Sequence, residues 1–371
     1  MPTIISTGRA DIEWRNESTQ KPPKSAQYVR ELNAEQILKA AHDHTATIWT
    51  GDFHNAKQIL AAMKKRVRKP ATKKKSPPVD VQTAFHSHRM QQAQASRILN
   101  MLAVEIGADF QLDIPRAPDV VAALADVYGT PNTEPFLLPL NQLLGFIGAH
   151  EWHKAGIELP QLGGRIYVPF GVFSPLRGEY LDLLAQAPLP PHIQTAFDIG
   201  TGSGVIAALL AKRGIPSITA TDTNPKAIAT ARRNLEQLGC LKQVEIQAVD
   251  LFPEGCADLI VCNPPWLPAK PTSAIETALY DPDSAMLKSF LNGAKAHLNP
   301  NGEAWLIISD LAEHLHLRPH DFLAQCFQTA SLAVIDVLSI KPKHSKATDQ
   351  NDPLAFARSQ ETTYLYRLKA V

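Results

Sequence analysis

The stretch Thr195-Ala-Phe-Asp-Ile-Gly-Thr-Gly-Ser-Gly-Val-Ile-Ala207 decides the fold. Phe197 and Ile199 flank Asp198 in a short run with the composition of a buried strand. Gly200, Gly202 and Gly204 then follow at every second position, where bare peptide groups let a ligand approach the backbone. From Ser203 onward Val205, Ile206, Leu209 and Leu210 have helical spacing, so the loop feeds a helix N-terminus. The dinucleotide fingerprint G-x-G-x-x-G would need its third glycine at Val205, so the chain departs from it. An acid just before a G-x-G-x-G loop suits a cationic ligand better than a pyrophosphate. Taken alone, such a turn also serves as a plain strand-to-helix connection.

The next residues narrow the choice. Ser217-Ile-Thr-Ala-Thr-Asp222 reads as a second strand ending in an acid, about twenty residues past the glycines, where nucleoside-binding sheets hold ribose hydroxyls. A helix is expected from Asn224-Pro225, with proline tolerated at its start, to Leu238-Gly239. A third strand, Gln243 to Val249, ends at Asp250. A fourth, Ala257 to Cys262, delivers Asn263-Pro-Pro-Trp266 at its carboxyl end, where open α/β sheets bind ligands.

With these residues the chain resembles the class I S-adenosylmethionine-dependent methyltransferases, and within them the amino-methyltransferases with an Asn-Pro-Pro-aromatic motif. It is most similar to the release-factor glutamine (HemK-like) and small-domain N-methyltransferases. The likeness rests on Asp198-Ile-Gly-Thr-Gly-Ser-Gly204, on Gly171-Val-Phe-Ser-Pro-Leu-Arg-Gly-Glu-Tyr-Leu-Asp-Leu-Leu184, and on Ala278-Leu-Tyr-Asp-Pro-Asp-Ser-Ala-Met-Leu287. Trp266 stands where the family usually has Tyr. The resemblance implies an α/β class I methyltransferase fold, Rossmann-like, with a seven-stranded mostly parallel sheet over residues 161–371.

It also implies a cofactor, S-adenosyl-L-methionine, and the residues that hold it. Gly200 and Gly202 would pass under its methionine part with Asp198 near the ammonium. Asp222 would hold the ribose, and Asp250 with Leu251 would border the adenine. Thr201, Gly204 and Asn263 complete the expected cofactor set. The catalytic set is Asn263, Pro264, Pro265 and Trp266. The amide or aromatic amine nitrogen such enzymes methylate is a poor nucleophile, so the site must orient it and favour its developing positive charge. The Asn263 side-chain oxygen and the Pro264 carbonyl would each accept one hydrogen of an NH₂ group. Two prolines fix the backbone without amide donors. Trp266 offers a flat face for stacking. Arg177 and Glu179 lie where the family's chain reaches over the cofactor, and Pro268 to Tyr280 is a loop of a size to cover the pocket.

With 371 residues, 44% of them hydrophobic, and a net charge of +1, the chain has room for two domains and is no generic polyanion binder. There is no leader-like segment and no run of about 18 apolar residues, so no membrane contact and a cytoplasmic location are expected. Cys240, Cys256, Cys262 and Cys326 show no CxxC pairing and are expected reduced and at least half-buried. Local histidine groups (His42 with His44, His86 with His88, and His314 with His316 and His320) join no cysteine or carboxylate set of zinc spacing, so no metal is expected.

Residues 1–27 read as a flexible arm, and 28–160 as a mainly helical N-terminal domain, with Thr83 to Gly107 as one long helix. The segment 64–78 interrupts it as a basic linker. Lys64-Lys-Arg-Val-Arg-Lys-Pro-Ala-Thr-Lys-Lys-Lys75, with no aromatic residue interleaved, is a solvated connector or a foothold on nucleic-acid phosphates. Toward the C-terminus a helix from Ser284 to Leu298 meets the breaker Asn299-Pro-Asn-Gly302. Strands Ala333 to Ile340 and Thr362 to Leu368 are expected as an edge hairpin around a polar loop, Lys341 to Glu361, that would wall the substrate site.

The function expected is N-methylation of an amide or exocyclic amino nitrogen of a macromolecule. A protein glutamine of the translation machinery comes first, then a ribosomal or transfer RNA base, then a DNA base. The contrasting class is a methyltransferase-like module that binds nucleic acid or a partner without turnover.

Overall fold

The computed structural model describes residues 3–67, 80–175, 178–342 and 354–371. Its contacts divide the chain into two units, Met1–His153 with Thr272–Ala274, and Lys154–Pro271 with Ile275–Val371.

In the first unit the elements are β1 (Ile4–Ser6), β2 (Asp11–Trp14), β3 (Ser25–Val29), α1 (Ala34–His42), β4 (Thr45–Trp49), α2 (Phe53–Val67), α3 (Val81–Leu99), β5 (Leu102–Ile106), α4 (Val121–Tyr128), β6 (Phe136–Pro139) and α5 (Leu140–Ala155), the last running just past the division. The strands form one mixed six-stranded sheet in the order β1-β2-β6-β5-β4-β3. Residues 28–160 thus carry strands of a sheet beside the expected helices, and the expectation of a flexible arm is corrected, since β1, β2 and the start of β3 lie within residues 1–27.

The reasons are local. Thr45-Ala-Thr-Ile-Trp49 has the β-branched and aromatic content that favours a strand, but is too short for periodicity to declare it. The helix expected over Thr83 to Gly107 ends at Leu99. Asn100 and Met101 turn the chain, and Leu102-Ala-Val-Glu-Ile106 becomes β5, all but Glu105 buried. A five-residue apolar run reads alike as strand or helix when it directly follows a helix. Of the basic block, Lys64 to Val67 close α2, with Lys64, Lys65 and Arg66 in the last turn, where cations suit the helix dipole. The rest of the expected linker lies outside the described residues.

The second unit continues with β7 (Ile157–Leu159), β8 (Gly164–Ile166), α6 (Glu179–Gln186), β9 (Thr195–Ile199), α7 (Val205–Lys212), β10 (Ser217–Thr221), α8 (Pro225–Gln237), β11 (Val244–Gln247), β12 (Ala257–Cys262), α9 (Ala285–Ala294), β13 (Leu298–Ser309), α10 (Leu311–His314), α11 (Phe322–Thr329), β14 (Leu332–Ile340), α12 (Ala355–Arg358) and β15 (Thr363–Ala370). Strands β7 and β8 pair by themselves, and the other seven form a sheet in the order β11-β10-β9-β12-β13-β15-β14. Its strands are parallel except β15, which runs antiparallel to both β13 and β14. This is the class I Rossmann-like arrangement.

Alternation along the central strands sorts the two cores. Leu259, Val261, Trp305 and Ile307 face the layer of α6, α7 and α8, while Ile260, Cys262, Leu306 and Ile308 face Leu287, Phe290 and Leu291 of α9 and Phe327 of α11. Covered on both faces, these strands are continuous apolar runs. The breaker at Asn299 to Gly302 does act, but inside a strand: β13 starts at Leu298, and its register with β12 shifts between the Ala257–Leu298 and Leu259–Glu303 pairs. Cys240 and Cys262 are buried and Cys326 half-buried, but Cys256 is exposed, contrary to expectation.

Candidate cofactor and transfer site

One transverse row of the sheet organises the site. Gln247 pairs with Thr221, Thr221 with Ile199, Ile199 with Cys262, and Cys262 with Leu306. Each of the first four is the last residue of its strand, so the chain leaves four adjacent parallel strands at one level. Gly200, Asp222 and Asn263 are therefore neighbours along a single carboxyl edge, with the loop carrying Asp250 beside them.

The glycine loop is built tightly. Gly200, Gly202 and Gly204 have φ of 72°, 56° and 82°. A methyl group on Gly204 would lie 3.0 Å from the Ala231 Cα and 3.1 Å from its Cβ, so this glycine lets α7 pack on α8. A methyl group on Gly200 would meet the Met286 Cε at 3.0 Å, whereas at Gly202 the nearest atom is the Gly200 carbonyl oxygen at 4.0 Å. The backbone is open at Gly202. The loop is braced from below: the Thr201 amide donates to the Thr221 carbonyl at 2.8 Å, and Asn234 Nδ2 donates to the Ser203 carbonyl at 2.9 Å.

Asp198 is fully buried. Its Oδ2 accepts from Thr201 Oγ1 at 2.6 Å and from the Ala207 amide in the first turn of α7 at 3.0 Å. Its Oδ1 is buried with no hydrogen-bond partner among the described residues. Burial pushes the carboxyl up to about 7, with the nearby Asp222 adding to the rise and the two hydrogen bonds opposing it. A buried acid with one unmet oxygen beside an open glycine loop fits the ammonium end of S-adenosylmethionine.

Asp222 is half-buried at the end of β10. Its Oδ2 accepts from the Gly202 amide at 2.9 Å and its Oδ1 from the Asn224 amide at 2.8 Å, so it ties the glycine loop to the start of α8. Each oxygen keeps a lone pair for a ribose hydroxyl. Asp250 is exposed. Leu251 has φ of 58°, and its carbonyl accepts from Thr221 Oγ1 at 2.7 Å.

In the motif, Pro264 is buried while Asn263, Pro265 and Trp266 are half-buried. Trp266 Nε1 donates to Asn263 Oδ1 at 2.9 Å. The indole also packs partly into both cores of the sheet. It therefore braces Asn263 as well as offering a face, a role sequence reasoning missed. Also missed was the link from the motif to α9. The Asp281 amide donates to the Leu267 carbonyl at 2.9 Å, and its carboxylate caps α9 by accepting from Met286 N and Leu287 N at 3.0 and 3.1 Å. Asn234 had a legible signal, being a polar residue on the apolar face of α8 with Ala227, Ala231 and Leu235. Arg177 lies outside the described residues, and Glu179 opens α6. Of the expected substrate-wall loop, residues 343–353 lie outside the description.

Residues 166–336 match the family described as the methyltransferase small domain. Among similar proteins is a release factor glutamine methyltransferase of Cereibacter sphaeroides, 36% identical over 34% of this chain and 50% of its own length. A ribosomal RNA small subunit methyltransferase C of Mannheimia succiniciproducens is 32% identical over 45% of this chain and 49% of its own. A ribosomal protein uL3 glutamine methyltransferase of Neisseria gonorrhoeae is 32% identical over 37% and 50%. The chain thus spans about half the length of the curated relatives it matches. Among the described residues no helix is long and apolar enough to cross a membrane. The match to the methyltransferase small domain thus falls on the unit whose seven-stranded sheet has the Rossmann-like order.

Proposed function

We propose that this protein transfers a methyl group from S-adenosylmethionine to an amide or exocyclic amino nitrogen in a component of the translation machinery, a protein glutamine being the first choice. The observation that carries the reading is the pairing of Ile199 with Cys262, which sets the open backbone at Gly202 and the side chain of Asn263 on adjacent loops of one edge. The cofactor supplies an electrophilic methyl on a sulfonium. The protein's part is to hold and polarise the acceptor. Asn263 Oδ1, with one lone pair taken by Trp266, has a second for one N–H of the acceptor, and the Pro264 carbonyl takes the other. As the nitrogen attacks, the new N–C bond forms while the C–S bond breaks, and the nitrogen then gives up one proton to water. Both acceptor oxygens grip the N–H groups harder as positive charge grows on nitrogen, which is stabilisation specific to the transition state.

The names of the relatives favour glutamine first and an RNA base second. Incubation with a cell lysate and S-adenosylmethionine labelled in the methyl group, followed by separate protease and nuclease digestion, tests both. Label released by protease supports the glutamine reading. Label released only by nuclease replaces it with the RNA base, and no label above that of Asn263→Ala overturns methyl transfer.

A further inference from the structure

In the first unit, α4 and α5 bring together three side chains that neither the glycine loop nor the Asn-Pro-Pro-Trp motif uses. Asp126 lies near the end of α4. His150 and His153 are three residues apart on α5, a spacing that puts them on one helix face. Both imidazoles aim Nδ1 at the same carboxylate oxygen, Asp126 Oδ2, at 2.7 Å for His150 and 2.8 Å for His153. All three donor atoms lie within 4.8 Å of one another, and among the described residues no other three His, Cys, Asp or Glu groups converge this closely.

We propose that Asp126, His150 and His153 bind one divalent first-row transition ion of the zinc class. Two imidazole nitrogens and one carboxylate oxygen are a borderline donor set that suits zinc and its neighbours rather than magnesium or calcium. Ligands about 2.0–2.2 Å from one ion sit roughly 3 Å apart, so the two nitrogen-to-oxygen separations need only a slight widening to admit it. In the bound state each imidazole presents the Nδ1 lone pair to the ion and carries its single proton on Nε2, and the ion lies between the two nitrogens and the carboxylate oxygen. Three protein ligands leave at least one position for water, the pattern of an exchangeable site.

The helices are pre-set for this. The Tyr128 ring at the end of α4 meets the Phe146 ring of α5 edge-on at 6.0 Å, which fixes the two helices independently of the polar cluster. The side chains of Asp126, His150 and His153 are 21%, 19% and 15% exposed, enough for an ion to enter from solvent without a change of fold. Sequence spacing hid the set because Asp126 comes from a different helix, 24 residues before His150.

Native mass spectrometry of the untagged full chain, equilibrated with Zn²⁺ or Co²⁺ and freed of excess, reads the stoichiometry. One ion per chain is expected for the wild type, and none for Asp126→Asn or for the double variant His150→Gln, His153→Gln, each with unchanged circular dichroism. Melting temperature should rise with Zn²⁺ in the wild type alone. If the variants do not fold, a zinc-edge anomalous map of wild-type crystals decides, a peak within bonding distance of the three atoms being the expected result. No stoichiometric ion, an ion that survives in folded variants, or a peak elsewhere overturns the proposal.

Discussion

Trp266 Nε1 donates a 2.9 Å hydrogen bond to Asn263 Oδ1, so the last residue of the motif holds the first. An indole N–H is a donor only, which fixes the oxygen as the end of the Asn263 amide that faces it. A tyrosine at this position would present a different donor in a different place.

Trp266→Phe keeps the flat ring and removes this one bond. A typical hydrogen bond contributes about 1 kcal/mol net, so methyl incorporation in the lysate assay should fall roughly 5- to 10-fold, with S-adenosylmethionine affinity unchanged. Asn263→Ala should fall further, and adding Trp266→Phe to it should cost nothing more. Additive losses would mean that Trp266 acts by stacking and not through Asn263.

Asp222 accepts from the Gly202 and Asn224 amides, and the proposal has it take the ribose. Hydrogen bonds to a charged group contribute about 1.5–3 kcal/mol each, so Asp222→Ala should weaken S-adenosylmethionine about 10- to 100-fold by isothermal titration. Its melting temperature should fall by a few degrees as the loop loses both anchors. Equal affinity in the variant would remove the ribose assignment.

The second unit was legible where strands are buried on both faces. Ala257 to Cys262 was read to the residue because a six-residue run, apolar but for Asp258 and ended by Asn-Pro-Pro, has no good helical alternative. The glycine loop was legible because its spacing imposes positive φ. The first unit was not, because β1, β4 and β6 are three to five residues long and carry few turn signals, while the helices between them show periodicity. In the site, Asp198 was legible as a candidate but its bond to the Ala207 amide was not, since a strand acid capping a helix across a loop leaves no local pattern. Asp281 was hidden likewise, being read as part of a run and not as the cap of α9.

The loop glycines should differ sharply when changed to alanine. Both Gly202 and Gly204 hold positive φ, which costs a non-glycine residue about 1–2 kcal/mol. At Gly204 the added methyl also strikes the Ala231 backbone, 3.0 Å from its Cα, and neither helix can yield without opening the core. Denaturant unfolding should show Gly204→Ala destabilised by more than about 3 kcal/mol and Gly202→Ala by only about 1–2. Gly202→Ala should instead weaken S-adenosylmethionine, because its methyl projects into open space over the loop. Matching stabilities for the two variants would contradict the packing argument.

Asp198 carries a carboxyl raised from the usual carboxylate range to about 7 by burial, so the folded protein binds a proton there that the unfolded chain has released. Between about pH 4 and 7 the native state then holds more protons than the unfolded one, and stability declines as pH rises through that window. The loss is complete above about 7, and none is felt below about 4, where both states are protonated. A cationic ligand reverses the preference by favouring the carboxylate. Affinity for S-adenosylmethionine should therefore tighten several-fold from pH 6 to pH 7.5, below the range near 8 where an α-amino group loses its own proton. In Asp198→Asn the pH dependence should vanish, affinity should stay weak throughout, and the unliganded protein should lose less stability between pH 5 and 7.5 than the wild type. A wild-type affinity flat across that range would show that the ammonium does not face Asp198 Oδ1, and would move the methionine end of the cofactor elsewhere on the loop.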